Sequence, residues 1–205
     1  RIQEQYGRNA FAMLSGVSLS TEKSYLVGKF ARVALKTANL DYNGRLCMVS
    51  AGAGNKKAFG MDRSSNSWAD LAHAEVIIIT GANISECFPV LTYRIWEARD
   101  NGAKIIVIDP RVIPLARTAD VHLPLRSGTD TALMSTMLKV LIDNDWLDHD
   151  FIDNYTSGWE ETAKTVEHCT LEWGEEITGV PKELIYKAAE MWGKAKTSFL
   201  VHARG

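Results

Sequence analysis

The sequence predicts a doubly wound α/β domain, a mostly parallel sheet with helices on both faces. Three observations carry this. Val76–Ile79 and Ile105–Ile108 are unbroken runs of Val and Ile, and a strand apolar at every position is buried on both faces. Segments with helical spacing separate the strand-like runs. The runs end on Gly81 and Asp109, and such sheets bind ligands beyond the carboxyl ends of their strands.

The elements follow in order. Asn9–Ser20 reads as a short strand leaving through Ser and Gly. Thr21–Thr37 has helical spacing, with Tyr25, Val27, Phe30, Val33 and Leu35 on one side and Ser20 or Thr21 as cap. Asn39–Gly44 reads as a turn. Ala74–Gly81 is the first buried strand, and Glu86–Gly102 a helix stopped by Asn101-Gly102. Ala103–Arg111 is the second buried strand and Ala119–Leu125 a short third. A helix opens near Thr129, with Leu133, Met137 and Leu141 four residues apart. His149–Glu167 is polar and helix-rich. Thr178–Lys196 is a helix with Pro181 in its first turn, and Thr197–Ala203 a last strand.

The chain has 205 residues, 46% hydrophobic and 23% charged, with net charge −2. This is a globular composition without a basic field, which argues against nucleic acid as partner. No apolar run is long enough to cross a membrane. Cys47, Cys87 and Cys169 are widely spaced with no CxxC pair, so no zinc or iron–sulfur site is written here. That usage suits a reducing compartment. The chain opens on Arg1 and stops after an apolar run. It is expected to be an excised piece of a longer protein.

Three polar clusters fall at successive strand ends. In "GANISE" (Gly81–Glu86), Gly81 permits close approach of the backbone, and the N–H groups of the next helix suit a phosphate. The spacing is not GxGxxG, so the usual dinucleotide fingerprint is absent; a plain strand-to-helix turn is the other reading. In "DPR" (Asp109–Arg111), an acid at a strand end accepts from a ribose or base, and Arg111 suits phosphate; a turn with a surface ion pair is the alternative. In "RSGTD" (Arg126–Asp130), Ser127 or Thr129 caps the helix, or Asp130 pairs with the N–H groups of a guanine edge. Together the clusters favour a nucleotide-like ligand across the sheet edge.

Cys47 stands apart, before Met48 and the small-residue run "AGAG". It is either an inert core residue or a soft metal ligand. The five histidines, His73, His122, His149, His168 and His202, show no metal-binding spacing, although His202 follows a strand that reaches the same edge. Lys56 and Lys57 either touch an anion or are solvated.

The stretches "LCMVSAGAGNKKAFG", "DLAHAEVIIITGANISECFPV", "NGAKIIVIDPRVIPLARTADVHLPLRSGTDTAL" and "ITGVPKELIYKAAEMWGKAK" resemble molybdopterin oxidoreductases of the dimethyl sulfoxide reductase family. The resemblance implies a bis-molybdopterin guanine dinucleotide cofactor carrying molybdenum or tungsten, with Cys47 as side-chain ligand to the metal. It implies that Gly81, Asn83 and Glu86 line one dinucleotide's crevice, that Asp109 and Arg111 hold its guanosine end, and that Gly128 and Asp130 close over it. The Gly-rich tail after Cys47 would let the backbone pass close to the pterin.

Met48 after the metal ligand and "ECFP" look like nitrate reductases, which implies nitrate as substrate. Formate, polysulfide or an arsenic oxyanion stay open as alternatives, as does a non-catalytic nucleotide-binding module. The resemblance also implies a 4Fe–4S cluster in an upstream domain, an electron-transfer partner protein, and a cytoplasmic or periplasmic home. Residues 1–42 are expected to belong to a neighbouring discontinuous domain, and residues 43–205 to form one Rossmann-like dinucleotide-binding domain. The fragment alone is expected to be inactive, with exposed strands prone to self-association.

Overall fold

The computed structural model describes residues 1–64 and 66–203. The chain forms two compact units, Arg1–Ser64 and Ser65–Ala203. The expected domain boundary at 42/43 falls inside the first.

The first unit runs α1 (Ile2–Tyr6), β1 (Met13–Ser15), α2 (Thr21–Lys29), β2 (Leu40–Tyr42), α3 (Gly44–Cys47) and α4 (Val49–Phe59). The segment read as a turn at 39–44 is partly a strand. β2 pairs parallel with β1, Met13 opposite Leu40 and Ser15 opposite Tyr42. Ser20 is the cap of α2, its hydroxyl accepting from Lys23 N–H. The helix then widens into a π-turn over Phe30–Ala34, which ends the regular spacing. Of the apolar residues read on one side of this segment, Tyr25, Phe30 and Val33 are exposed. The Gly-rich tail after Cys47 is not extended: it is α4, closed by Gly60 at φ +73.

The second unit runs β3 (Val76–Thr80), α5 (Ile84–Cys87), α6 (Pro89–Asp100), β4 (Lys104–Ile108), β5 (Val121–Leu123), α7 (Asp130–Asp143), α8 (His149–Tyr155), α9 (Trp159–Thr165), α10 (Leu171–Thr178), α11 (Lys182–Gly193) and β6 (Ser198–His202). Its sheet is parallel throughout, in the order β5-β4-β3-β6. The order reverses between β3 and β6, the place where open α/β sheets form a crevice.

Alternation along the central strands explains why both faces are covered. Ile77, Ile79, Ile105 and Val107 pack with Ile95 and Ala98 of α6. Val76, Ile78, Ile106 and Ile108 pack with Leu133 and Met137 of α7 and Ile185 and Ala188 of α11. β3 and β4 are thus buried within the unit itself. Its large exposed apolar side chains lie mainly on helices and turns, at Trp68, Phe88, Val90 and Tyr93, with Leu200 of β6 also exposed.

Two departures from the expected elements matter. The single helix read over Glu86–Gly102 is broken at Phe88 (φ −139, ψ 63), and Pro89 begins α6. Proline suits a first helical position because its missing N–H has no partner there. α10 was not foreseen. Thr170 caps it, Gly179 ends it at φ +72, and it lies close against α7. A Cβ on Gly174 would stand 2.5 Å from Thr136 Oγ1.

At the amino edge of the sheet, Asp120 ties β4 to β5. It accepts from Ile105 N–H at 2.9 Å and Lys104 Nζ at 3.0 Å. Burial pushes its carboxyl up, but these bonds outweigh burial and hold it below the usual aspartate range.

Two outcomes are expected. Gly174→Ala forces α10 away from α7 and costs about 1–3 kcal/mol, read as a lower urea midpoint. Asp120→Asn costs about 1–3 kcal/mol near neutral pH, since a charged hydrogen-bond acceptor is lost. A depressed folded-state pKa stabilises above the unfolded-state value and ceases to as pH falls through the folded one. The gap between variant and wild type therefore closes on acidification, in urea unfolding repeated at stepped pH.

Candidate functional site

The register brings three of the predicted clusters to one edge of the second unit. Thr80 lies beside both Ile108 and His202, and Ile108 lies beside Leu123. Gly81, Asp109 and the loop from Pro124 to Asp130 therefore leave the sheet at adjacent strand ends. Gly81 N–H donates to Ile108 O at 2.9 Å, which joins the first two clusters directly.

Gly81 is in the left-handed region at φ +56, and a Cβ there would meet no atom within 4 Å. Gly128 is at φ +85, equally open. Both positions favour glycine for backbone reasons alone. The phosphate-cradling helix expected after Gly81 is not there. α5 is one turn of four residues, and the longer α6 begins with Pro89, which has no N–H. The Glu86 and Cys87 N–H groups bond back to Asn83 O. Glu86 itself is exposed.

Asn83 carries an unexpected feature. Its Oδ1 and Nδ2 are both closed to solvent, and neither has a hydrogen-bond partner among the described residues. Ser85 Oγ and Thr92 Oγ1 are in the same condition. An unpaired buried amide costs about 1–3 kcal/mol, so this corner of the fold carries unused hydrogen-bonding capacity. The sequence placed Asn83 and Ser85 inside the Gly81–Glu86 cluster, singled out Asn83 only through the resemblance, and did not mark Thr92. Orphaned atoms leave no trace in spacing.

Asp109 is 8% exposed. Its Oδ1 accepts from Arg111 N–H at 2.7 Å and its carbonyl accepts from His122 Nε2 at 2.8 Å. Oδ2 makes no hydrogen bond among the described residues, and the exposed Arg111 guanidinium makes no ion pair there. The cluster is therefore a closed turn, not the surface ion pair that was its alternative.

In the third cluster neither Ser127 nor Thr129 caps α7. Thr129 precedes it, but its hydroxyl donates to Arg126 O at 2.6 Å. Arg126 anchors the loop, giving Nη1–H to Glu176 O at 2.8 Å and its backbone N–H to Thr178 O at 2.9 Å. Asp130 is exposed in the uncapped first turn, where a carboxylate meets the positive end of the helix dipole.

Cys47 is in the first unit, half-buried at the end of α3, five residues beyond the carboxyl end of β2. Asn43, opening that turn, takes a bond from Val17 N–H at 2.9 Å and gives its own N–H to Ser15 O. A Cβ on Gly44 would run into the Tyr42 ring, so glycine lets the chain double back from strand to turn. No three His, Cys, Asp or Glu side chains come together to hold a metal among the described residues. A metal here would rest on a single thiolate and on ligands from elsewhere.

A groove of about 750 Å³ lies away from the strand edge. It lies along α6, walled by Trp68, Phe88, Val90 and Tyr93. His202 ends β6 beside Thr80, with Nδ1 3.2 Å from Ala203 O.

The strand edge thus gathers open glycine backbone at Gly81 and Gly128, the unpaired Asn83 amide and the Asp109 carboxylate. Residues 1–197 match the family model for molybdopterin oxidoreductases. The chain is 40% identical over its full length to the assimilatory nitrate reductase catalytic subunit of Bacillus subtilis, covering 29% of that protein. It is 37% identical, over 97% of its length and 29% of the relative's, to the F420-dependent formate dehydrogenase subunit alpha of Methanocaldococcus jannaschii. Acetylene hydratase from Pelobacter acetylenicus superposes with TM-score 0.74 and 29% identity, over 97% of this chain and 27% of that one. The chain thus spans less than a third of the length of these relatives. Its sequence and its fold place it in the molybdopterin oxidoreductase family.

Proposed function

We propose that the chain is the central part of the catalytic subunit of a molybdenum or tungsten oxidoreductase, and that the enzyme reduces nitrate. The observation that carries this reading is the 40% identity to a nitrate reductase catalytic subunit along the whole chain, joined to Met48 following Cys47. A second reading, formate oxidation, is favoured by relatives named formate dehydrogenase at 35–37% identity.

The residues fit a molybdopterin in its guanine dinucleotide form. Gly81 and Gly128 expose backbone to close approach by a flat group, and the Asn83 amide offers an unused donor and acceptor. We assign Gly81, Asn83 and Glu86 to the crevice lining. Asp109 and Arg111 are assigned to the guanosine end: the carboxylate accepts from the N–H groups that guanine presents, and the guanidinium pairs with phosphate. Gly128 and Asp130 belong to the loop that closes over that end. Cys47 supplies one soft thiolate donor to the metal. When bound, the metal centre supplies two-electron chemistry with oxygen-atom transfer. A 4Fe–4S cluster and an electron-transfer partner belong to the same proposal, outside this chain.

The intact protein is expected to contain molybdenum or tungsten, release GMP on acid hydrolysis, and oxidise a reduced viologen with nitrate. Formate-dependent dye reduction without nitrate turnover would replace the first reading by the second. Absence of both metal and GMP would end both. Cys47→Ala is expected to lower turnover by more than about 100-fold, because even residues that only support a ligand cost roughly 10–100-fold. GMP content is expected to persist, since the dinucleotide contacts lie elsewhere. Asn83→Leu separates fold from ligand. It removes an unpaired amide at similar volume, so the cofactor-free chain is expected to be as stable as wild type or more so in thermal unfolding. The intact variant is expected to hold less cofactor.

A further inference from the structure

We propose that His122 is a positioning residue for the guanosine end of the site, acting from β5 through its bond to the Asp109 carbonyl; this rests on the dinucleotide reading above. β5 has three residues and lies at the sheet edge. Val121 and Leu123 point into one core, so alternation turns His122 to the opposite face. There its Nε2 lies 2.8 Å from Asp109 O. A carbonyl only accepts, so Nε2 carries the proton.

No backbone group replaces this bond. The β4–β5 ladder ends at Ile108 opposite Leu123. The next residue on β5's side is Pro124, which has no N–H, and Leu125 N–H is turned back to Leu123 O at 3.0 Å. Without His122 the carbonyl of Asp109, a residue only 8% exposed, would lose its hydrogen-bond partner within the chain. The same peptide unit sets the direction of Pro110 and Arg111, and Arg111 N–H holds Asp109 Oδ1 at 2.7 Å. His122 therefore fixes the plane from which both the free Asp109 oxygen and the Arg111 guanidinium project. It touches neither ligand nor metal in this role.

The test uses the intact protein purified with its cofactor, reading GMP and metal retained against time after dilution and gel filtration. Three variants separate hydrogen bonding from packing. The Gln amide nitrogen occupies the place of Nε2, the Asn nitrogen that of Nδ1, and Leu only fills volume. His122→Gln is expected to retain GMP within about threefold of wild type, while His122→Asn and His122→Leu lose it about tenfold faster, the factor of one net hydrogen bond. Should His122→Leu fail to fold, the Gln and Asn pair still decides. Wild-type retention in His122→Leu, or equal loss in the Gln and Asn variants, overturns the positioning role. Absence of GMP from the wild-type protein overturns the dinucleotide reading and this inference with it, and is seen before any substitution is made.

Discussion

Burial of β3 and β4 on both faces is the constraint from which the rest follows. The eight central side chains, Val76 to Ile79 and Ile105 to Ile108, are almost entirely closed to water. Each stabilises by roughly 1.5–3 kcal/mol as an upper estimate. A parallel strand cannot return by a tight turn, so every connection runs through a helix or long loop and every carboxyl end emerges at one edge. The sheet's strength decides what that edge tolerates. One orphaned amide at Asn83 costs about as much as one of those eight side chains contributes. A left-handed residue at Gly81 is a smaller charge still. Each local cost is thus small beside what the eight side chains together bury.

Legibility in the sequence followed the length and regularity of each pattern. β3 and β4 were plain because unbroken β-branched runs fit a parallel sheet and little else. α7 was plain from its four-residue repeat. β2 was missed because Leu40-Asp41-Tyr42 is too short to show a period and lies between Asn39 and Asn43-Gly44, which signal a turn. α4 was missed because "AGAG" is a poor helix by propensity; its regular backbone bonds and the Gly60 stop hold it in place. The break at Phe88 was legible and passed over: Pro89 disfavours helical geometry at the residue before it. At the site, Gly81 and Asp109 could be read from their places after strands. The failed caps at Ser127 and Thr129 could not, since the competing acceptor for Thr129 is the Arg126 carbonyl.

Cys47 shows a different limit. Its neighbours allowed both a core thiol and a ligand, and the structure adds how the position is made rather than what it binds. β2 delivers the chain, Gly44 lets it fold back over Tyr42, and Asn43 pins the turn to the chain leaving β1. This is the same device as in the second unit, a parallel strand whose carboxyl end opens into a short helical turn, built here on two three-residue strands instead of a four-stranded sheet. Such a short pair has little burial of its own. In the first unit the buried residues among those described are Ala31, Thr37, Gly44 and Gly52.

The two strand exits in the second unit are built differently. At β4 the backbone groups are already paired: Ile108 O with Gly81 N–H, Asp109 O with His122, and Asp109 Oδ1 with Arg111 N–H. A turn so determined has one geometry. At β3 the chain leaves through a left-handed glycine into Asn83, whose amide is bonded to nothing among the described residues, and then into a helix of a single turn. A segment with few internal bonds can adjust at small cost. Under the assignment proposed here, the rigid exit receives the part of the ligand that must be recognised, the guanine and its phosphate. The adaptable exit lines the crevice beside it, where hydrogen bonds to the ligand would complete what the fold itself leaves unmade.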